Sequence, residues 1–384
     1  MTGNKVSHYI VFHKLTKGLL TFAGLWPYEN SNYFYKILPY IELIISLGIV
    51  IAIFGFVRQH FSSVSLVTRG LSIMTSFITV ILKLKCMSTY REDLKELHNY
   101  LDSSFTALLE NSKLTKPILE KVQIFTNLSI VFTVCVLISV CFYIINPLIF
   151  IIQHYKLTGV KYPLIYPSSY PWEVPPSGFY YQLHFLFELL ASWTLLLVTT
   201  GIDSLFTLYI FMMIGQLREM SYSMTHIDDN QDKDLVIRKC IDQYENLLRA
   251  KVIIETLFGP VILWIIGTNA IVLCTLLFQI TQMKSISMLR GVLFTTYFTL
   301  KIVQTFMYAW SGSCLTEESE KYRYAVYASN WYGDKRLITT AIITMAQKPL
   351  TLTACNFGVV SVDIFVMVLN TTVSYFFLLQ TLDQ

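Results

Sequence analysis

Charge is sparse in this chain. Of 384 residues only 29 are Lys or Arg and 25 are Asp or Glu, together 14%, about half of what a soluble domain carries. Catalytic signatures are absent as well. There is no phosphate-binding loop, no His-Glu-x-x-His metal spacing and no nucleophile motif, and the seven histidines are scattered. Enzyme chemistry therefore has no support, and no cofactor or metal is expected. No internal repeat or low-complexity tract divides the chain. Near the N-terminus no short apolar core is followed by a cleavage site, so a secretory signal peptide is not expected.

What is abundant is apolar sequence: 54% of residues, with a mean hydropathy of +0.53. It falls into seven runs, at residues 37–57, 64–82, 124–150, 179–214, 252–280, 289–310 and 357–379. Most approach or exceed the roughly 20 residues a membrane-crossing helix needs, and none shows the short dyad repeat of a membrane barrel. The expected fold is an all-α membrane protein of seven transmembrane helices.

Charge placement orients it. Lys and Arg number 4 in residues 1–36, 7 in 83–121, 6 in 215–251 and 5 in 312–355. The alternate connections hold 2 each in 58–69, 152–178 and 281–290, and none follows residue 380. The positive-inside rule then puts the N-terminus in the cytoplasm and, after seven crossings, the C-terminus outside. That topology excludes a nucleic-acid role. It leaves no cysteine in an external loop, so no disulfide is expected. It also buries the sequons at Asn127 and Asn370 inside spans.

Four regions follow. Residues 1–35 form a cytoplasmic, interfacial segment, with Tyr9, Phe12, Leu15, Leu19, Phe22 and Trp26 at helical spacing under the inner leaflet. Residues 36–310 carry spans one to six. Residues 203–251 and 311–355 are cytoplasmic helix extensions, because the fourth run, at about 1.5 Å per residue, reaches roughly 54 Å against a hydrocarbon core of about 30 Å. A stripe of Ile237, Ile241, Tyr244 and Leu248 runs into Val252, and a short helix at 335–347 aligns Ile338, Ile342 and Met345. These apolar faces need covering, either within a cytoplasmic subdomain or at a subunit-assembly platform. Residues 356–384 hold the last span and a short external end. The long external loop, 153–178, contains five prolines, which disfavour regular helix.

The last span is unusually polar. At about 100° per residue, Asp363, Met367, Asn370, Ser374 and Thr381 share one stripe, with Thr371, Leu378 and Leu382 at its edge. Such a face avoids lipid. It either packs inside its own bundle or, repeated around a symmetry axis, walls a pore closed by an apolar ring of Leu378 and Leu382. Ionisable residues within spans, namely Glu42, Arg69, Glu188, Asp203, Glu255, Lys301 and Asp363, need partners, and Glu188 is a candidate for Lys301.

The C-terminal stretch resembles the signature of insect odorant receptors, in Pro349-Leu350-Thr351-Leu352-Thr353-Ala354, Ser361-Val362-Asp363-Ile364-Phe365 and Tyr375-Phe376. Gly24-Leu25-Trp26-Pro27 is similar to that family's N-terminal region. The chain departs from the pattern at Cys355, where Gly is usual, and at Asn370, where Lys is frequent. The resemblance implies a subunit of a tetrameric, ligand-gated, nonselective cation channel in the plasma membrane of olfactory sensory neuron dendrites. It implies a pore lined by the last span, a gate at Leu378 and Leu382, and contacts between subunits through the cytoplasmic helix ends. The short connection between spans four and five resembles an odour-tuned subunit, which partners a shared co-receptor, rather than the co-receptor itself. The implied ligand is a small, mostly apolar volatile held among helices two, three, four and six. The residues at that depth are Met74, Phe77, Ser139, Tyr143, Tyr181, Phe185, Glu188, Phe294, Tyr297 and Phe298. The alternative reading is a seven-span receptor without its own pore that signals through a cytoplasmic partner. A G-protein-coupled receptor would place its N-terminus outside, and a secondary transporter would show paired halves; neither fits.

Overall fold

The computed structural model of the chain describes residues 2–110, 112–154, 162–226, 233–281, 288–329 and 335–382. Its helices are α1 (Thr2–Phe22), α2 (Tyr33–Gln59), α3 (Val64–Thr89), α4 (Arg91–Glu110), α5 (Ser112–Ile118), α6 (Val122–His154), α7 (Phe179–Thr225), α8 (Lys233–Thr281), α9 (Met288–Ala328), α10 (Lys335–Ala346) and α11 (Val362–Leu382). A two-stranded hairpin, β1 (Thr353–Ala354) and β2 (Gly358–Val359), precedes α11. Each apolar run lies within or largely within a helix. By length and composition α2, α3, α6, α7 and α8 qualify as spans among the described residues. The apolar part of α11, Val362–Leu378, is shorter, and Lys301 and Gln304 lower the hydropathy of α9.

The bundle is organised around α7. Every residue from Leu196 to Met220 is buried, so this half is surrounded by protein on all sides, and its few charged groups must find partners inside. Neighbouring α1, α4, α5, α6 and α9 pack against it. At 47 residues the helix is about 70 Å long, which continues the fourth apolar run well past its end, as its length required.

The N-terminal segment differs from expectation. The sequence reads its stripe as facing the inner leaflet, but α1 packs against α6 and α7. Tyr9, Phe12, Leu20 and Ala23 are buried in the main core, and only Phe22 of the stripe is exposed. The stripe is real; protein covers it. An amphipathic pattern specifies that one face is covered and is silent about what covers it.

Lys83 is a second correction. Counted as a charge of the connection at 83–121, it is fully buried inside α3, with Nζ 2.5 Å from Asp203 Oδ1 of α7. Asp203 also accepts from Gln304 Nε2 at 2.8 Å and Tyr308 OH at 2.5 Å, both on α9. One carboxylate thus ties together α3, α7 and α9.

A second polar cluster joins α5, α7 and α9. Arg218 donates through Nη1 to the carbonyls of Pro117, Ile118 and Glu120, and through Nη2 to Glu318 Oε1 at 2.9 Å. Lys321 bridges Glu317 and Glu318, and Lys121 reaches Glu317.

The hairpin explains the signature before the last span. Leu350, Leu352 and Ala354 are buried at alternate positions, as a strand requires. Glu255 of α8 accepts from the N–H of Thr353 at 2.6 Å and from its hydroxyl at 2.8 Å. Ser313 of α9 accepts from Val362 N–H at 2.9 Å. Where α9 crosses this segment a side chain has no room, since a Cβ on Gly312 would lie 2.1 Å from the Val360 carbonyl oxygen.

The turn joining the strands closes through Phe357 N–H to the Ala354 carbonyl, 3.0 Å. Its central residues, Cys355 (φ 51°) and Asn356 (φ 60°), are both left-handed. Asn tolerates that region; Cys does not. The Gly usual in the resembling family relieves the strain, so Cys355→Gly is expected to raise stability by about 1 kcal/mol. A thermal melt of the detergent-purified chain checks this, and an unchanged or lower midpoint rejects it.

Candidate functional site

Two features are candidates: a cavity in the bundle and the outward face of α11. The cavity, about 50 Å³, lies between α3, α6, α7 and α9. Ile73, Val136, Val140, Leu195 and Leu300 form its aliphatic wall, and Tyr143, Tyr166 and Tyr297 its aromatic wall. Hydroxyls come from Ser76, Thr79, Ser139 and Thr199, and the remaining polar groups are Lys301 and Gln304. Two of the rings are held by hydrogen bonds. Tyr297 donates to the Ser72 carbonyl at 2.9 Å and meets the Ser76 hydroxyl at 3.0 Å. Tyr166 meets the Ser192 hydroxyl at 2.8 Å. Thr79 accepts from the Trp264 indole at 3.0 Å. The base adjoins the Asp203 cluster, since Gln304 both lines the cavity and donates to Asp203.

Tyr166 comes from the loop before α7, which folds back onto the bundle. Glu188 holds it there, accepting from Tyr166 N–H at 2.9 Å, the Ser168 hydroxyl at 2.6 Å and the Tyr170 hydroxyl at 3.1 Å. A further bond runs from Ser169 N–H to the Ala52 carbonyl of α2 at 2.9 Å. Glu188 is therefore committed to the loop and does not pair with Lys301.

Of the ten residues expected at a ligand, Ser139, Tyr143 and Tyr297 line the cavity. Phe77 is buried one layer behind, edge-on to Tyr166 at 5.2 Å between ring centres. Met74 and Phe185 pack in the neighbouring apolar cluster with Ile49 and Ile53. Tyr181 donates to the Pro163 carbonyl at 2.8 Å, and Glu188 anchors the loop. Phe294 and Phe298 stack on each other, and Phe298 faces Ala270, Leu273 and Val368 rather than the cavity. Tyr166, Gln304 and Thr199 were not anticipated. Tyr166 lies in a proline-rich loop that sequence reasoning assigned to the exterior, whereas Gln304, one turn from Lys301 on a predicted span, was a signal available to be read.

On α11 the face packed against α8 and α9 carries Ile364, Val368 and Thr372, and Thr372 donates to the carbonyl of Val368 at 2.8 Å. The polar stripe points the other way. Asp363, Met367, Asn370, Ser374, Leu378 and Thr381 are exposed, and Asp363, Met367, Asn370, Thr371 and Ser374 line an open groove with Val366 and Tyr375. Leu382 ends α11, and its side chain lies outside the described residues. The stripe is thus left uncovered by its own chain.

Comparison with known proteins gives a consistent result. The sequence model of the family described as 7tm Odorant receptor matches residues 63–373. Odorant receptor 13a of Drosophila melanogaster is 20% identical over 268 residues, covering 64% of this chain and 63% of that protein. The odorant receptor coreceptor of Anopheles gambiae is 27% identical over 146 residues, 37% of this chain and 30% of that protein. The chain thus spans less than two thirds of the length of these curated relatives. The solved structure of the insect olfactory receptor OR5 from Machilis hrabei in complex with eugenol superposes with a TM-score of 0.79 at 13% identity, over 97% of this chain and 99% of that one. The shared fold is the seven-span, all-α architecture, in a multi-pass membrane protein and not an enzyme family. With more than half its length matched by the family's sequence model, the chain belongs to the 7tm odorant receptor family.

Proposed function

We propose that the chain is an odour-tuned subunit of a ligand-gated, nonselective cation channel, assembled with an odorant co-receptor as a heterotetramer in the plasma membrane. Its N-terminus is cytoplasmic, its C-terminus extracellular, and α11 lines a pore shared by the subunits. The observation that carries this reading is the uncovered polar stripe of α11. A helix that turns Asp363, Asn370, Ser374 and Thr381 away from its own bundle needs either water or other subunits there, because lipid is a poor neighbour for them.

The cytoplasmic helix ends support assembly. Leu235, Ile241, Leu248 and Val252 of α8, Tyr324 and Tyr327 of α9, and Ile342, Ile343 and Met345 of α10 are exposed, and apolar side chains left open together at helix ends are what a subunit contact would cover. The cavity is the ligand site of this reading, its mixed aromatic, aliphatic and hydroxyl wall suited to a small volatile. A receptor of the same fold has been solved with eugenol.

Coexpression with an odorant co-receptor should give volatile-evoked cation currents that persist in excised patches without nucleotides. Leu378→Thr, at the outer end of the stripe, should raise basal conductance severalfold by wetting an apolar constriction. Currents lost on patch excision would favour a cytoplasmic signalling partner, and a basal conductance unaltered by polar substitution at both Leu378 and Leu382 would remove the gate.

A further inference from the structure

Lys301 is 5% exposed and lines the cavity. Its Nζ stands 5.6 Å from the centre of the Tyr297 ring, a weak cation–π contact, and no carboxylate among the described residues lies within ion-pair distance of it. The two buried acids of the region are already occupied. Asp203 is shared by Lys83, Gln304 and Tyr308. Glu188 holds the loop through Tyr166, Ser168 and Tyr170. Lys83 and Lys301 therefore face a single carboxylate, and among the described residues Lys301 is left without an ion-pair partner of its own. Such a group is costly to bury unless something else supplies the negative charge.

We infer that the cavity selects a small organic acid, with the ligand's carboxylate pairing with the Lys301 ammonium and its hydrocarbon part lying against Tyr143, Tyr166 and Tyr297. This rests on the cavity being the ligand site of the proposed receptor and goes further by naming the ligand class. Alcohols and esters with the same hydrocarbon part would fill the same walls but leave the charge unpaired. A charge-assisted hydrogen bond in a dry site corresponds to roughly 10- to 100-fold in affinity.

The test uses the full chain coexpressed with an odorant co-receptor. Concentration–response curves are taken for butanoic, hexanoic, octanoic and phenylacetic acids, each with its methyl ester and its alcohol. At least one acid should be about tenfold or more as potent as both of its neutral counterparts. Lys301→Met should abolish that preference, lowering the ratio of acid to ester and alcohol potency by about tenfold or more; Lys301→Arg should keep it. Robust gating by esters or alcohols with no acid preferred overturns the inference and leaves the receptor reading intact. So does a Lys301→Met receptor that loses acid and neutral responses alike while Lys301→Arg behaves the same way. If Lys301→Met fails to reach the surface, the wild-type preference and its retention in Lys301→Arg decide the matter. Surface-labelled complexes that no volatile opens, and whose basal conductance Leu378→Thr leaves unaltered, overturn the receptor reading and this inference with it.

Discussion

Asp203→Ala should cost about 3–5 kcal/mol of stability, enough to deplete the folded chain. The residue is 1% exposed and accepts from Lys83 on α3 and from Gln304 and Tyr308 on α9. Removing the carboxylate strands a fully buried ammonium and two further donors at once. The loss should appear in the melting midpoint of detergent-purified chain and in surface labelling of cells. The double variant Lys83→Met with Asp203→Leu separates charge from packing. With neither ion present, the pair is replaced by apolar groups, a change that is often neutral when volumes match. It should recover most of the loss, the remainder reflecting the unpaired Gln304 and Tyr308. A double variant no more stable than Asp203→Ala would mean the pair holds the helices by shape and not by charge.

The next largest effect is expected at Arg218. Its guanidinium satisfies three carbonyls where α5 ends and α6 begins, and pairs with Glu318 on α9. Alanine leaves those carbonyls unpaired at about 1–3 kcal/mol for each that water cannot reach, a total of roughly 3 kcal/mol or more. Lysine keeps the charge but lacks the planar fork, so Arg218→Lys should keep only about half of the stabilisation. The cluster also carries a pH signature. Burial acts to raise the Glu318 carboxyl, but hydrogen bonds and charge from Arg218 and Lys321 outweigh it and hold the group below its ordinary 4.5. A carboxyl depressed in the folded state stabilises fully above its unfolded value, and that contribution is lost as pH falls through the folded value. Stability should therefore drop as pH is taken below about 4.5, and the drop should shrink in Glu318→Gln. Equal acid sensitivity in both would exclude the pair as its source.

How much of this was legible from the residues alone depends on which physical signal carried it. The helices of the apolar runs were readable because some 20 consecutive apolar residues admit few other structures. That α11 carries one polar stripe was readable because Asp363, Asn370, Ser374 and Thr381 repeat at helical spacing on one face; that the stripe is exposed was not, since a stripe buried in the bundle has the same spacing. The covering of α1 was not: Tyr9 and Phe12 predict a buried face equally well for a bilayer surface or for α7. The charge pattern misled at Lys83, since a lysine near a helix end looks like a loop charge until its partner, more than a hundred residues away, is in view. At the cavity, helical spacing identified aromatic and hydroxyl residues such as Ser139, Tyr143 and Tyr297. It could not show that Met74 and Phe185 turn toward a neighbouring cluster, because the angle around a helix is known only relative to that helix. Tyr166 was invisible for a different reason: the carboxylate that draws its loop inward, Glu188, was read as a ligand-site residue and a candidate partner for Lys301.

In the receptor proposed above, the loop strapped down by Glu188 and the narrow chamber beneath it set a rule for potency. At about 50 Å³ the chamber holds a few waters, so an odorant-sized guest would have to part its walls, and only molecules opened in that way would accept it. Every apparent dissociation constant is weakened by the rarity of that open population; if one molecule in about a hundred is open, the penalty is about a hundredfold. The discount grows with the bulk of the guest, because larger guests demand a rarer opening. Sensitivity is thereby traded for discrimination by size, and the rank order of ligands is set as much by how far they force the walls apart as by what they touch once inside.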